Sequence, residues 1–316
     1  MNRKPHILPT LNLKGRMAMD SNKKSFMGKA LFIVALAYLS YNIYQAIITT
    51  VFVSHFPLIV TQLPHFISSS QPTLQITLFF LQELLGSIGI YLRLAGGIFA
   101  LYAAVLFMRK DERYLEKFGR VLLFESLYFA LLIPAGINHI VGSTITHSEL
   151  LNVYTGASFL LQAALIFPPL FMLSRKLKKP QDVPSILKWA GIAAPLYVFG
   201  LWVKHGLMWV YALSPLGTGQ AGLIDAVGSA DSLLTLLVAA IVATAAWLIF
   251  RRKKKLDIRL AGTALILVGV YFVVYAVVSV WVPIYLAFLP LTEFWMITLP
   301  IIGIAILLNQ SLVPSD

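Results

Sequence analysis

Eight stretches of this chain meet the length that most constrains its fold, the roughly 20 apolar residues that a helix needs to cross a bilayer. They fall at about 29–53, 84–108, 119–141, 152–174, 186–212, 232–250, 259–282 and 285–308 of 316 residues. The composition agrees: 59% of residues are hydrophobic and 12% charged, where a soluble domain is nearer half apolar and a quarter charged. The expected fold is an all-α integral membrane protein, a bundle of about eight transmembrane helices in one domain. A basic arm (1–28) precedes the membrane domain (29–308), and a short cytoplasmic tail (309–316) follows it.

The connections between the runs alternate in charge. Basic clusters lie in the N-terminal arm, in "RKDERYLEKFGR" (109–120), in "SRKLKKPQD" (174–182) and in "RRKKKLDIR" (251–259). The intervening connections, at 54–73, 141–152, 213–232 and near Pro283, hold no Lys or Arg. Of 25 basic residues, all but Arg93 and Lys204 therefore fall on one side. The positive-inside rule makes that side cytoplasmic, with both termini on it and the plasma membrane as the expected location. The net charge of +12 is thereby assigned to membrane orientation and to anionic lipids at the cytoplasmic face, not to nucleic acid. The arm, "MNRKPHILPTLNLKGRMAMDSNKKSFMGK", reads as cytoplasmic rather than as a signal peptide, because the apolar run after it is too long.

Trp189 and Trp247 fall near inner span ends and Trp202, Trp209, Trp281 and Trp295 in outer portions, the pattern of interfacial aromatic belts. Spans 2, 4 and 6 end in "VLFMRK", "PLFMLSRK" and "WLIFRRKK", and spans 3, 5 and 7 contain "LYFALL", "LYVFGL" and "VYFVVY". This suggests three repeated helical hairpins flanked by spans 1 and 8, an organisation found in transporters. The segment 54–84, broken by Pro57, Pro64 and Pro72, reads either as an interfacial or re-entrant piece or as an outer extension of span 2.

The polar residues inside the runs carry the functional expectations. In "GSIGIYLRLAGGIFALYAAVLFMRK" (86–110) a permanent cation stands mid-span. At about 100° per residue, Gly86, Gly89, Arg93, Gly97, Ala100 and Ala104 share one helical stripe. Small residues let helices approach closely in lipid, so the stripe is expected to face protein and Arg93 with it, about 22 Å from the cytoplasmic end of its span. Such a charge needs a partner. The partners expected from the outer half are Glu83, Asn138, His139, Glu149, Asn152, Lys204, His205, Asp225, Asp231 and Glu293. Glu125 stands apart, about 9 Å from the inner end of span 3 by the same rise. It is expected to pair with cytoplasmic cations or to carry a proton in a transport path.

Two function classes follow. One is a transporter or permease-like protein with an outward-facing polar site for an acidic solute or headgroup, bound by Arg93 with Lys204, His205, His139 and Glu83; the Arg fork suits a carboxylate or phosphate. The other is a non-catalytic anchor subunit of a larger, respiratory-type membrane complex, with membrane-protein partners. No cofactor is expected under the first reading; under the second, His139 and His205 on separate spans would hold haem or quinone. No cysteine is present, which excludes thiolate metal sites and a cysteine nucleophile. Metal-binding histidine spacings and phosphate-loop, dinucleotide and catalytic-serine motifs are also missing. A lipid-modifying enzyme ranks third.

Overall fold

The computed structural model describes residues 13–47, 73–111, 113–146, 150–178, 182–213, 237–238, 240–251, 257, 259–270 and 303. Every regular element among them is an α-helix: α1 (Leu13–Ile47), α2 (Thr73–Met108), α3 (Tyr114–Thr146), α4 (Leu150–Leu177) and α5 (Val183–Leu213), then α6 (Ala240–Arg251) and α7 (Arg259–Val270). Three stretches, Leu84–Met108, Tyr114–Gly142 and Val153–Leu177, are long and apolar enough to cross a membrane. They correspond to spans 2 to 4 of the expected array.

Several boundaries differ from the sequence expectation. Helix α1 begins at Leu13, so the second half of the basic arm is helical. Residues 73–85 continue into span 2 as one helix, Thr73–Met108, which selects the outer extension over a separate interfacial piece for that part. Helix α3 starts at Tyr114, about five residues before its apolar run. Span 8 is described only at Gly303, whose backbone approaches Gly262 and Ile266 of α7. Proline does not divide the helices: Pro134 lies within α3, Pro168 and Pro169 within α4, and Pro195 within α5.

Helices α1 to α5 pack in chain order, each against the next, and the contact points show that they alternate in direction. Gly28 of α1 meets Met108 of α2, whereas Leu39 meets Gly97. Gly119 of α3 meets Ser174 of α4, whereas Gly136 meets Gly156. At the last of these crossings a Cβ built on Gly136 would stand 2.7 Å from the Gly156 carbonyl oxygen, so the two backbones touch. In lipid this is how helices gain contact, through small residues and close van der Waals packing. Ala35, Ala103, Ala104, Ala163, Ala190 and Ala193 are likewise fully buried in one continuous core with Phe118, Leu122, Phe129, Ile166 and Leu170. Large apolar residues such as Ile98, Tyr102, Leu161 and Phe199 point outward, toward the position of lipid. Trp247 is 66% exposed and Trp189 packs against the core.

Two of the basic connections carry capping contacts among the described residues. Helix α2 ends with the Asp111 N–H donating to Leu106 O at 3.0 Å and the Lys110 N–H to Phe107 O at 3.1 Å, with Lys110 at φ 59°. This is a Schellman closure, with lysine where glycine is usual. Asp111 then accepts from the Arg113 N–H at 3.0 Å and grips its guanidinium, with the closest approach 2.6 Å. These hydrogen bonds from Arg113 lower the Asp111 carboxyl to about 2. At the next connection Asp182 caps α5, accepting from Ser185, and pairs with Lys176 at 3.0 Å. Both interactions, Ser185 first, hold its carboxyl below the usual range.

Candidate functional site

The small-residue stripe on α2 decides where Arg93 goes. Gly97 packs on α1, where an added Cβ would come within 3.2 Å of Leu39 Cα, and Gly89 packs on the Tyr128 ring of α3 at 3.1 Å. Ala100 and Ala104 are buried. Arg93 lies between these contacts and so points into the bundle, between α1 and α3. Gly86 departs from the expectation: it is exposed, with open space where a Cβ would stand. The protein-facing stripe therefore begins at Gly89.

Arg93 Cζ stands 3.7 Å from the centroid of the Tyr128 ring. A guanidinium over an aromatic face gains both electrostatic attraction and stacking. One turn before Tyr128 on α3 is Glu125, only 1% exposed. Arg93 is near enough for its charge to act directly on the Glu125 carboxylate. From α1, the Tyr38 hydroxyl donates to Glu125 Oε1; Tyr38 is itself buried and lies within electrostatic reach of Arg93 and of Tyr197 on α5. Asn42, one turn beyond Tyr38, donates back to the Tyr38 carbonyl at 2.8 Å. Phe129 closes the far side, edge-on to Tyr197 at 5.7 Å. The carboxylate thus receives a hydroxyl donor from α1 and feels the charge of a cation on α2, while its Oε2 meets no hydrogen-bond partner among the described residues. Unmet acceptors of this kind are rare in buried sites.

This arrangement differs from the sequence expectation on one point of substance. Arg93 was expected to look outward for a carboxylate and Glu125 inward for a cation; in the structure the two lie within electrostatic reach of each other, while the side chains of the outer carboxylates lie outside the described residues. The depth of Glu125 is the reason. Measured from the real start of α3 at Tyr114 rather than from the apolar edge at 119, Glu125 stands about 17 Å along the helix. Arg93 stands about 22 Å from Met108 at the matching end of α2. The remaining step of about 5 Å is within the reach of an arginine side chain.

The other expected site residues are distributed as follows. His139, half-buried on α3, stands edge-on to Phe159 of α4 at 5.4 Å. Glu83 lies on α2, and Lys204 and His205 on α5; their side chains lie outside the described residues, as do Glu149, Asp225, Asp231 and Glu293. The backbone register does set a depth for Lys204. Gly136 opposite Gly156 and Gly200 opposite Ile166 put residue 128 level with about residue 164 and then residue 202, so Lys204 lies within about one turn of the depth of Arg93. Among the described residues, no group of three His, Asp or Glu side chains converges as a metal site.

Sequence reasoning missed Tyr38, Asn42, Tyr128, Tyr197 and Gln162. The first two carried a signal: they are four residues apart in an apolar run, hence on one helix face. Gln162 is buried on α4, and its Nε2 meets no hydrogen-bond partner among the described residues. Comparison with protein-family models, curated proteins and solved structures finds no match to this chain.

Proposed function

We propose that this chain is a multi-pass transporter of eight spans in the plasma membrane, with both termini cytoplasmic, that carries an acidic solute together with a proton through the Arg93–Glu125 site. One observation carries the reading: a fully buried carboxylate lies within electrostatic reach of an arginine inside an apolar span and has one oxygen without a hydrogen-bond partner among the described residues. In the resting state Glu125 neutralises Arg93. An incoming carboxylate or phosphate takes the Arg93 fork, which is shaped for such groups. Glu125 then takes up a proton, so that the net charge of the buried site stays at zero and no uncompensated charge is left in hydrocarbon. Tyr38 turns its hydroxyl with the carboxyl as the proton arrives. Lys204, His205, His139 and Glu83 complete the outward approach.

The test is proton movement in liposomes that contain the full chain. Adding small carboxylates or phosphates outside should draw protons inward, and either Arg93→Gln or Glu125→Gln should abolish the signal in protein that is destabilised but still folded. If no acidic solute moves protons and the chain purifies only with other subunits, the anchor-subunit function takes its place. Orientation is tested separately. The chain has no native cysteine, so single cysteines at 115, 178 and 254 should resist an impermeant thiol reagent in intact cells, and labelling at any of them would overturn the topology.

A further inference from the structure

A cleft of about 470 Å³ opens on the outside of the bundle near the basic ends of α2, α3 and α4, lined by Phe99, Glu116, Arg120, Leu123, Phe124 and Lys178. Its lining is graded with depth. Phe99 and Phe124, deepest along their helices, stack with centroids 5.6 Å apart and an interplanar angle of 21°. Arg120 lies above them, its Cζ 5.3 Å from the Phe99 centroid. Lys178, just past the end of α4, is exposed at the mouth. Glu116 holds Arg120 in place through one contact of 2.8 Å, which leaves the guanidinium further donors for a second acceptor. Two cations and one carboxylate line the cleft, and Lys117 also touches that carboxylate at 3.3 Å, so the cleft is net positive.

We propose that this cleft binds an anionic phospholipid of the leaflet that meets the basic ends, with its phosphate between Arg120 and Lys178 and an acyl chain along Phe99, Leu123 and Phe124. Charge and depth both match this occupant. A phosphodiester supplies negative charge to a net positive cleft, and Arg offers it a fork of donors. The aromatic floor descends beside Leu84–Met108 and Tyr114–Gly142, two of the helices able to cross the membrane, so an acyl chain follows it without leaving hydrocarbon. A free phosphate would fill only the mouth. The inference rests on the chain crossing the membrane and not on the transport proposal, since no residue is shared with the Arg93–Glu125 site.

The experiment is native mass spectrometry of the full chain released from micelles doped with phosphatidylglycerol or with phosphatidylcholine. Wild type should retain one phosphatidylglycerol in preference to phosphatidylcholine. A juxtamembrane cation strengthens such attraction by about fivefold, so Arg120→Gln with Lys178→Gln should weaken retention about thirtyfold. Lys178→Gln alone, at an exposed position, should weaken it about fivefold and guards against a folding defect in the double variant. Arg175→Gln, a cation outside the cleft, should leave retention unchanged. Equal retention by wild type and the double variant would overturn the proposal, and so would an equal loss in Arg175→Gln. Displacement of the lipid by millimolar inorganic phosphate would reassign the cleft to a free anion and overturn it as well.

Discussion

Replacing Arg93 by glutamine removes the cation beside Glu125 and leaves the carboxylate buried among α1, α2 and α3, where it is 1% exposed. Stranding one member of a buried ion pair costs about 3–5 kcal/mol. A second route caps that loss. A glutamate with an ordinary pKa of about 4.3 is neutralised at pH 7 for about 3.7 kcal/mol, at about 1.4 kcal/mol per pH unit. The Arg93→Gln defect should therefore stay near or below about 4 kcal/mol at pH 7 and shrink to about 2 kcal/mol at pH 5.5, as protonation grows easier. Glu125→Gln should also destabilise, because it leaves Arg93 as the buried charge, and this defect should not shrink in acid. The double variant Arg93→Gln/Glu125→Gln, with no charge left to bury, should recover most of the loss, a coupling of more than about 2 kcal/mol. Thermal unfolding of the detergent-solubilised protein across pH reads all three. If the single variants were as stable as wild type, or if their losses simply added in the double, Arg93 and Glu125 would not be a coupled pair. The double variant also separates architecture from function: a folded double variant that still moves acidic solutes would leave the pair as scaffold alone.

Three further outcomes follow from the packing and the connections. Gly97→Leu should cost about 1–3 kcal/mol by overpacking against Leu39 of α1, and Gly136→Ala should also destabilise, since its Cβ would press on the Gly156 carbonyl; Gly86→Ala, in open space, should be neutral or stabilise by up to about 1 kcal/mol, all read as melting temperatures. Lys110→Gly should raise stability by about 1 kcal/mol, because it relieves a left-handed backbone at φ 59° that costs a side-chain-bearing residue about that much; unchanged melting would show that the turn holds no strain of that size. Asp111, held at about 2 by Arg113, is a depressed carboxylate: its stabilising contribution is complete above the ordinary carboxylate pKa and is lost as pH falls from about 4 toward 2. Asp111→Asn should accordingly differ from wild type at pH 6 and converge with it near pH 2, as followed by proteolysis of the 109–113 connection.

The sequence alone placed apolar runs at 84–108, 119–141 and 152–174, which fall on the helical stretches long and apolar enough to cross a membrane, Leu84–Met108, Tyr114–Gly142 and Val153–Leu177. Transfer of a helix into lipid depends on the summed polarity of about 20 contiguous residues, a local property that needs no knowledge of neighbours. The stripe read from Gly86 to Ala104 faces protein except at Gly86, and was legible for a similar reason, since helical periodicity and residue size are written along one segment. What Arg93 meets is not local. It depends on the relative depth of two helices, and that depth is set by where the α2–α3 connection turns. The Schellman closure at Lys110 and the grip of Asp111 on Arg113 start α3 at Tyr114, within what reads by composition as a cytoplasmic loop. Those few residues carry Glu125 up to Arg93, and the crossing of α1 at Gly97 brings Tyr38 to the same place. Hydropathy registers where a chain enters lipid, whereas the pairing of two charges across helices is fixed only when the turn between them closes and the backbones pack.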